Sequence, residues 1–381
     1  MVSRRSFLGK VLGPAFTGAS VIDQALFRAT RARAQANYQL PVLFDIEKVA
    51  DGIYAALAKP QTLINCNAVI FEGAKDILIL DSHSKPSAVA SLLRQIRNDI
   101  TPKPVRYVVA SHFHWDHSQG LPAYRRVAPH ADIVSSETTR KLIGQETVPR
   151  LKESFTQLEK SVEDYKKKVA EAKTPEEKAA HQQMLRDTQD YLREMQTFKP
   201  ELPNLTLDRD LILHDKAHDL HLAFRGRGHT SGDVVVYCPQ KKTVATGDLL
   251  HGFFPFLADG YPRDWPRTLL DVAQFEFSNI AGGHGRVFRD RSRLYQMGNF
   301  IEELTFAVSE GKRQGKSADQ LAREITPARL KTLADGGYGE ECARNILKYR
   351  RLAPPALSAA QTIATSVETC LGHIYTSLDR A

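Results

Sequence analysis

Four side chains able to bind a metal fall within six residues, in the run Ser111-His112-Phe113-His114-Trp115-Asp116-His117. Imidazole nitrogens and a carboxylate suit a borderline divalent cation such as zinc. A lone histidine is more often a surface or core residue, but three with an aspartate at this spacing point to ligands that converge on one place. The run follows Pro104-Val-Arg-Tyr-Val-Val-Ala110, a short β-branched and aromatic stretch that reads as a buried strand. Its ligands therefore sit just past a strand end, where the chain can turn back toward a common point.

Three glycine-flanked motifs follow in order: Gly228-His229-Thr230, Thr246-Gly247-Asp248 and Gly282-Gly283-His284-Gly285. Gly228, Gly232, Gly247, Gly283 and Gly285 permit tight turns from which such side chains project. The ordered set resembles the metallo-β-lactamase fold superfamily, whose signature is His-x-His-x-Asp-His. The resemblance runs from about residue 50 to 289 with one insertion. It implies an α/β fold: a four-layer αββα metallo-β-lactamase sandwich, here with an inserted helical hairpin and a helical C-terminal segment.

The resemblance also implies a ligand set. His112, His114 and His229 are expected to hold one ion, Asp116, His117 and His284 the other, and Asp248 to bridge them, with zinc as cofactor at two ions per chain. A metal-bridging hydroxide would then attack a small ester, lactone, thioester or amide, with Asp116 orienting it or shuttling its proton. Asp248 stands where zinc β-lactamases usually have cysteine or no bridging carboxylate, and His114 where flavodiiron proteins have glutamate. Lactonases and glyoxalase II-type hydrolases are thus the nearer resemblance, although the glutathione-binding pattern of the latter is not recognised. The alternatives are β-lactamase activity and a mononuclear iron oxidoreductase of the persulfide dioxygenase type.

Around these motifs, Trp115, His251, Phe253, Phe254, Phe256 and Tyr261 are expected to line an apolar substrate wall; core packing is the other reading for such aromatics. Arg225 and Arg227 are either solvated or placed to meet a substrate carboxylate. Asp81 is either an ordinary strand-ending residue or, as in similar sequences, a partner of a ligand histidine. His83 occupies no standard ligand position. His214, His218 and His221 read as solvated or structural, with a third metal site as the weaker reading.

The surrounding chain must position these groups. Residues 63–71 and 76–80 read as strands, Pro86 to Ile100 as a helix with Ser84 a candidate cap, 121–127 as a short helix, and 131–134 as a strand. Leu151, Phe155, Leu158, Val162, Tyr165 and Val169 recur at alternating four- and three-residue steps, and Met184, Tyr191, Met195 and Phe198 continue the spacing. Thr174-Pro175-Glu176-Glu177 between them carries a cap residue, a first-turn proline and a glutamate placed for a capping box. Residues 150–200 are therefore expected to form an inserted antiparallel helical hairpin. It packs on its own sandwich, caps the cleft or forms a homodimer contact, and all three arrangements stay open. Strands are expected over 211–225, 233–238, 243–246 and 279–281, and a helix over 264–275.

The formal net charge is +8. Residues 1–34 hold six basic residues and one acid; without them 46 basic residues face 43 acidic ones. So mild a surplus gives no argument for nucleic acid, and a small-molecule substrate is the expected partner. Ser3-Arg4-Arg5-Ser6-Phe7-Leu8 resembles a twin-arginine export signal, with cleavage patterns at Ala32-Arg33-Ala34 and Ala34-Gln35-Ala36. The following apolar stretch contains Pro14 and Asp23 and is too broken for stable membrane insertion. Residues 1–36 are thus read as a signal peptide, 37–290 as the metallo-β-lactamase-fold domain and 291–381 as a helical accessory segment, in a periplasmic or secreted bacterial protein. Of the four cysteines, Cys66 and Cys238 read as buried thiols and Cys342 with Cys370 as the best disulfide pair.

Overall fold

Period-2 alternation sorts the strand side chains onto two faces, and both faces are covered. In the computed structural model, which describes residues 41–379 apart from 62, 335–336 and 351–356, seven strands form one sheet in sequence order. They are β1 (Phe44–Ala50), β2 (Ile53–Ala58), β3 (Ala68–Glu72), β4 (Ile77–Leu80), β5 (Val105–Val109), β6 (Asp132–Ser136) and β7 (Leu205–Leu207). Pairing is antiparallel up to β4 and parallel from β4 to β7. A second sheet, ordered β12-β11-β10-β9-β8, contains β8 (Asp210–Leu213), β9 (Leu220–Phe224), β10 (Val234–Cys238), β11 (Thr243–Gly247) and β12 (Asn279–Gly282).

Val69, Phe71, Leu78 and Leu80 of the first sheet share one core with Val234, Val236, Cys238 and Ala245 of the second, so the sheets pack face to face. The alternate residues Ile70, Ile77 and Ile79 pack outward on α1 (Pro86–Asp99), through Val89, Leu92 and Ile96, and on Leu121 and Tyr124. Two short helices, α2 (Trp115–Ser118) and α3 (Leu121–Val127), follow β5. Val235, Tyr237 and Val244 on the far face of the second sheet meet the later helices, completing the expected four αββα layers.

The insertion consists of α4 (Glu137–Glu171) and α5 (Pro175–Met195). α4 begins thirteen residues before the expected start, because the Ser136 side chain accepts from Thr139 N and caps it directly after β6. Thr174 caps α5 as expected by accepting from Glu177 N, while the Glu177 carboxylate reaches Lys173 N. Leu151, Tyr191 and Met195 bury the hairpin's base against Trp115 and Leu63.

The C-terminal helices are α6 (Trp265–Val272), before β12, and then α7 (Ser292–Arg313), α8 (Ala318–Glu324), α9 (Lys331–Ala334), α10 (Tyr338–Arg350) and α11 (Ala359–Ser377). All the strands and helices of the described residues belong to one unit, residues 42–381. Among the described residues no helix is long and apolar enough to cross a membrane. The export motif and both cleavage patterns lie outside the described residues.

Several expectations need correction. The strand expected from Leu63 starts only at Ala68, and the side chains before it bind neighbouring backbone: Asn65 accepts from Ser84 N, while Asn67 accepts from Ala58 N and donates to Gly282 O and Gly285 O. The 211–225 stretch is a hairpin, turned at Asp215, whose Oδ1 accepts from Ala217 N and Ala74 N. Lys85 precedes α1 without a side-chain cap, and Ser84 is buried with its N–H donating to Asn65 Oδ1. The suggested Cys342–Cys370 disulfide is absent: Cys342 Sγ accepts from Arg293 and Cys370 Sγ donates to Pro255 O, so all four cysteines are buried free thiols.

Candidate metal centre

The seven expected ligands come from loops that leave strand ends. His112, His114, Asp116 and His117 follow β5, His229 lies between β9 and β10, Asp248 follows β11 and His284 follows β12. These loops meet because parallel β4 and β5, and parallel β11 and β12, end on the same side. The structure brings together His112, His114 and His229 as one group and Asp116, His117 and His284 as another, and it places Asp248 with His112 and His117. Asp248 Oδ1 is 3.4 Å from His117 Nε2, and its Oδ2 is 3.4 Å from His284 Nε2 and 3.6 Å from His229 Nε2. That carboxylate stands between both groups.

The outward nitrogens show how three of the rings are aimed. His117 Nδ1 meets Asp81 Oδ2 at 2.8 Å, His112 Nδ1 meets Ser111 Oγ at 2.9 Å, and His114 Nε2 meets Asp259 Oδ2 at 2.9 Å. Each of these rings therefore turns its other nitrogen inward, in the manner of carboxylate- or hydroxyl-oriented metal ligands. Asp81 does this from a left-handed backbone (φ 72°), a conformation that costs an aspartate about 1 kcal/mol and is over-determined here by bonds to Ser111 N and Ser111 Oγ.

Buried polar atoms normally make hydrogen bonds, and among the described residues His112 Nε2, His117 Nε2 and Asp248 Oδ1 make none, the last two only facing each other at 3.4 Å. Five inward imidazoles, two carboxylates and these orphaned atoms fit divalent cations. Gly283 leaves the room: a Cβ there would fall inside contact distance of Asp248 Oδ1 and lie 2.9 Å from His117 Cε1.

The charges of these groups act strongly on one another. Burial, reinforced by neighbouring imidazoles, pushes His112 and His229 well below the usual histidine range. Burial also acts against charge at His117 and His284, yet the adjacent carboxylates, Asp248 foremost, raise both, His284 to about 9. Asp116 and Asp248, despite burial, are held well below the carboxylate range by His117 and His284. Buried carboxylates thus face imidazoles at the centre, a setting in which binding a cation would displace protons.

The groups open into a cavity of about 320 Å³ walled by Ile64, Trp115, Phe253, Phe254 and Phe256, with His251 beside them. Phe253 stacks on the His284 ring at 5.3 Å, and Phe256 meets His114 edge-on at 5.7 Å.

The family model described as the metallo-beta-lactamase superfamily matches residues 62–284, more than half of the sequence. The chain belongs to the metallo-beta-lactamase superfamily. Among solved structures, a metallo-beta-lactamase from Pontibacter korlensis is 18% identical, covering 67% of this chain and 98% of its own, with a TM-score of 0.47. The metallo-beta-lactamase FIM-1 from Pseudomonas aeruginosa, in its mono-zinc form, is also 18% identical, covering 68% and 95%, with a TM-score of 0.46. No curated protein sequence matches.

Within this superfamily member, Trp115, His251, Phe253 and Phe254 line the cavity, but Tyr261 does not. Its backbone N–H donates to Gly228 O in the loop that bears His229, and its ring lies under Arg227 on a separate surface. Arg227 also binds Asp264, and Arg225 binds Asp210 over the Phe275 ring, so neither arginine faces the cavity. His83 is buried against Cys66, with burial lowering it to about 3. His214 pairs with Asp219, His218 packs on Gly52 and His221 on Tyr237; among the described residues these three histidines form no ligand group.

Phe256, at the end of the aromatic run that starts at His251, lines the cavity as expected. Three cavity residues carried no expectation of their own: Ile64, Arg150 and Asp259. Arg150 and Asp259 are a charged helix residue and an Asp-Gly loop residue in the sequence, and neither carries a mark of its role.

Proposed function

We propose that the protein is a zinc-dependent hydrolase with two ions per chain, acting on a small ester, lactone, thioester or amide. The observation that carries this reading is the pair of adjacent inward-facing ligand groups, joined by Asp248 and opening into an apolar cavity. When bound, paired cations supply Lewis acidity and make water acidic enough to react near neutral pH. The chain's own residues then do the rest. Asp116, whose Oδ2 lies 3.2 Å from His284 Nε2 at the cavity floor, orients the attacking water and accepts its proton on a carboxylate oxygen. Trp115, Phe253 and Phe256 hold the acyl group and exclude bulk water.

Arg150 is the one arginine or lysine on the cavity wall among the described residues, and both its Nη atoms bind Asp259. A substrate carboxylate would have to compete with Asp259 for that guanidinium. The aromatic wall favours an uncharged, apolar acyl group. Chromogenic lactone, thioester, phosphodiester and cephalosporin substrates tested on zinc-loaded protein should give turnover with the lactone or thioester, lost in Asp116→Ala and His229→Ala. Turnover that survives both substitutions overturns the reading. We further propose export through the twin-arginine route, supported by Ser3-Arg4-Arg5; replacing Arg4 and Arg5 by lysine should retain the protein in the cytoplasm.

A further inference from the structure

The inserted hairpin touches the metal centre through one carboxylate. Arg150, on α4, donates from Nη1 to Asp259 Oδ2 (2.7 Å) and from Nη2 to Asp259 Oδ1 (2.9 Å). Its guanidinium lies over the Phe113 ring at 4.9 Å, and its Nε donates to Glu146 Oε2 at 3.3 Å. Asp259 Oδ2 also accepts from His114 Nε2 at 2.9 Å, while His114 Nδ1 faces inward, 2.8 Å from His229 Nε2. A bidentate guanidinium fixes the plane of a carboxylate in a way that a single hydrogen bond does not. With its proton drawn to Nε2 by that carboxylate, His114 keeps the Nδ1 lone pair for a cation.

The hairpin is itself fixed to the ligand-bearing segment. Leu151, next to Arg150, is buried with Tyr191 and Met195 against Trp115, the residue between His114 and Asp116. Tyr191 OH donates to Gln119 Oε1 at 2.7 Å, and Glu194 Oε2 accepts from Ser87 Oγ at 2.7 Å. Arg150 is thus delivered from a helix anchored on the ligand run, and Asp259 from the loop that leads into α6.

We propose that Arg150 is a positioning residue: carried in by the hairpin, it locks Asp259 so that His114 presents Nδ1 to a cation shared with His112 and His229. This rests on the reading of those three histidines as a metal site. The hairpin then contributes directly to metal affinity.

The test is zinc titration of metal-free protein in competition with a chromogenic chelator, with a melting curve of each metal-free chain as a folding control. Asp259→Ala should weaken one zinc site by about 10- to 100-fold. Arg150→Ala should weaken the same site by roughly 10-fold and leave the other unchanged. The double variant should be no weaker than Asp259→Ala alone, because Arg150 acts only through Asp259. Should Arg150→Ala fold poorly, Arg150→Lys keeps the charge without the fork and should still bind zinc more weakly at that site. Equal zinc affinity in wild type and the Arg150 variants, or losses that add in the double variant, overturns the inference. A wild-type chain that takes up no zinc overturns the metal reading beneath it.

Discussion

At the scale of single residues, the centre depends on space as much as on ligands. Gly283 lies against Asp248 and His117, and an added methyl cannot be accommodated without moving the carboxylate that joins the two ligand groups. Gly283→Ala is expected to cost about 1–3 kcal/mol by overpacking and to lower zinc content, measured by urea unfolding and metal analysis. Unchanged zinc content would show that Asp248 tolerates displacement. The candidate ligands were legible in the sequence because metal binding demands particular residue types at short spacing, and each later candidate sits beside a glycine that frees its loop. Arg150 and Asp259 were not legible, since their role comes from the meeting of a helix and a loop 109 residues apart. Tyr261 misled for the opposite reason: it is close in sequence to the aromatic run, but the turn at Gly260 carries it to another face.

At the scale of elements, the cavity wall is held from behind by a buried cation. Arg293 on α7 is 1% exposed; it donates to His251 O at 3.1 and 3.0 Å and to Phe253 O at 3.1 Å, under the Tyr338 ring. Arg293→Met would remove those hydrogen bonds from the His251 and Phe253 carbonyls and is expected to destabilise the protein by about 3 kcal/mol. KM should rise more than kcat falls, as the loop bearing Phe253 loosens. Urea unfolding and steady-state kinetics check both expectations; full stability with an unchanged KM would show that α7 does not shape the wall. The strong periodicities made α1, α3 and the hairpin readable in advance. The β1–β2 pair was not anticipated, because its alternation is interrupted: Glu47 and Lys48 stand in β1 and a run of alanines in β2.

At the scale of the whole molecule, two sheets, a hairpin and a C-terminal helical segment converge on a small ligand cluster. The four layers were legible because alternating apolar strands must be covered on both faces; the joining of both accessory elements to the cleft was not, because it runs through Arg150 and Arg293 after packing. Cations that bind only the folded chain stabilise it, by about 2.7 kcal/mol for one site at 100-fold excess over Kd. Chelation should therefore lower Tm, zinc should restore it, and His284→Ala should reduce the span between the two states. The most direct measurement is zinc content per chain after removal of free metal, on wild type, His112→Ala, His284→Ala and the double variant. About two ions are expected for wild type, about one for each single variant and almost none for the double. A wild-type chain without zinc, or a content unmoved by these substitutions, would contradict that expectation.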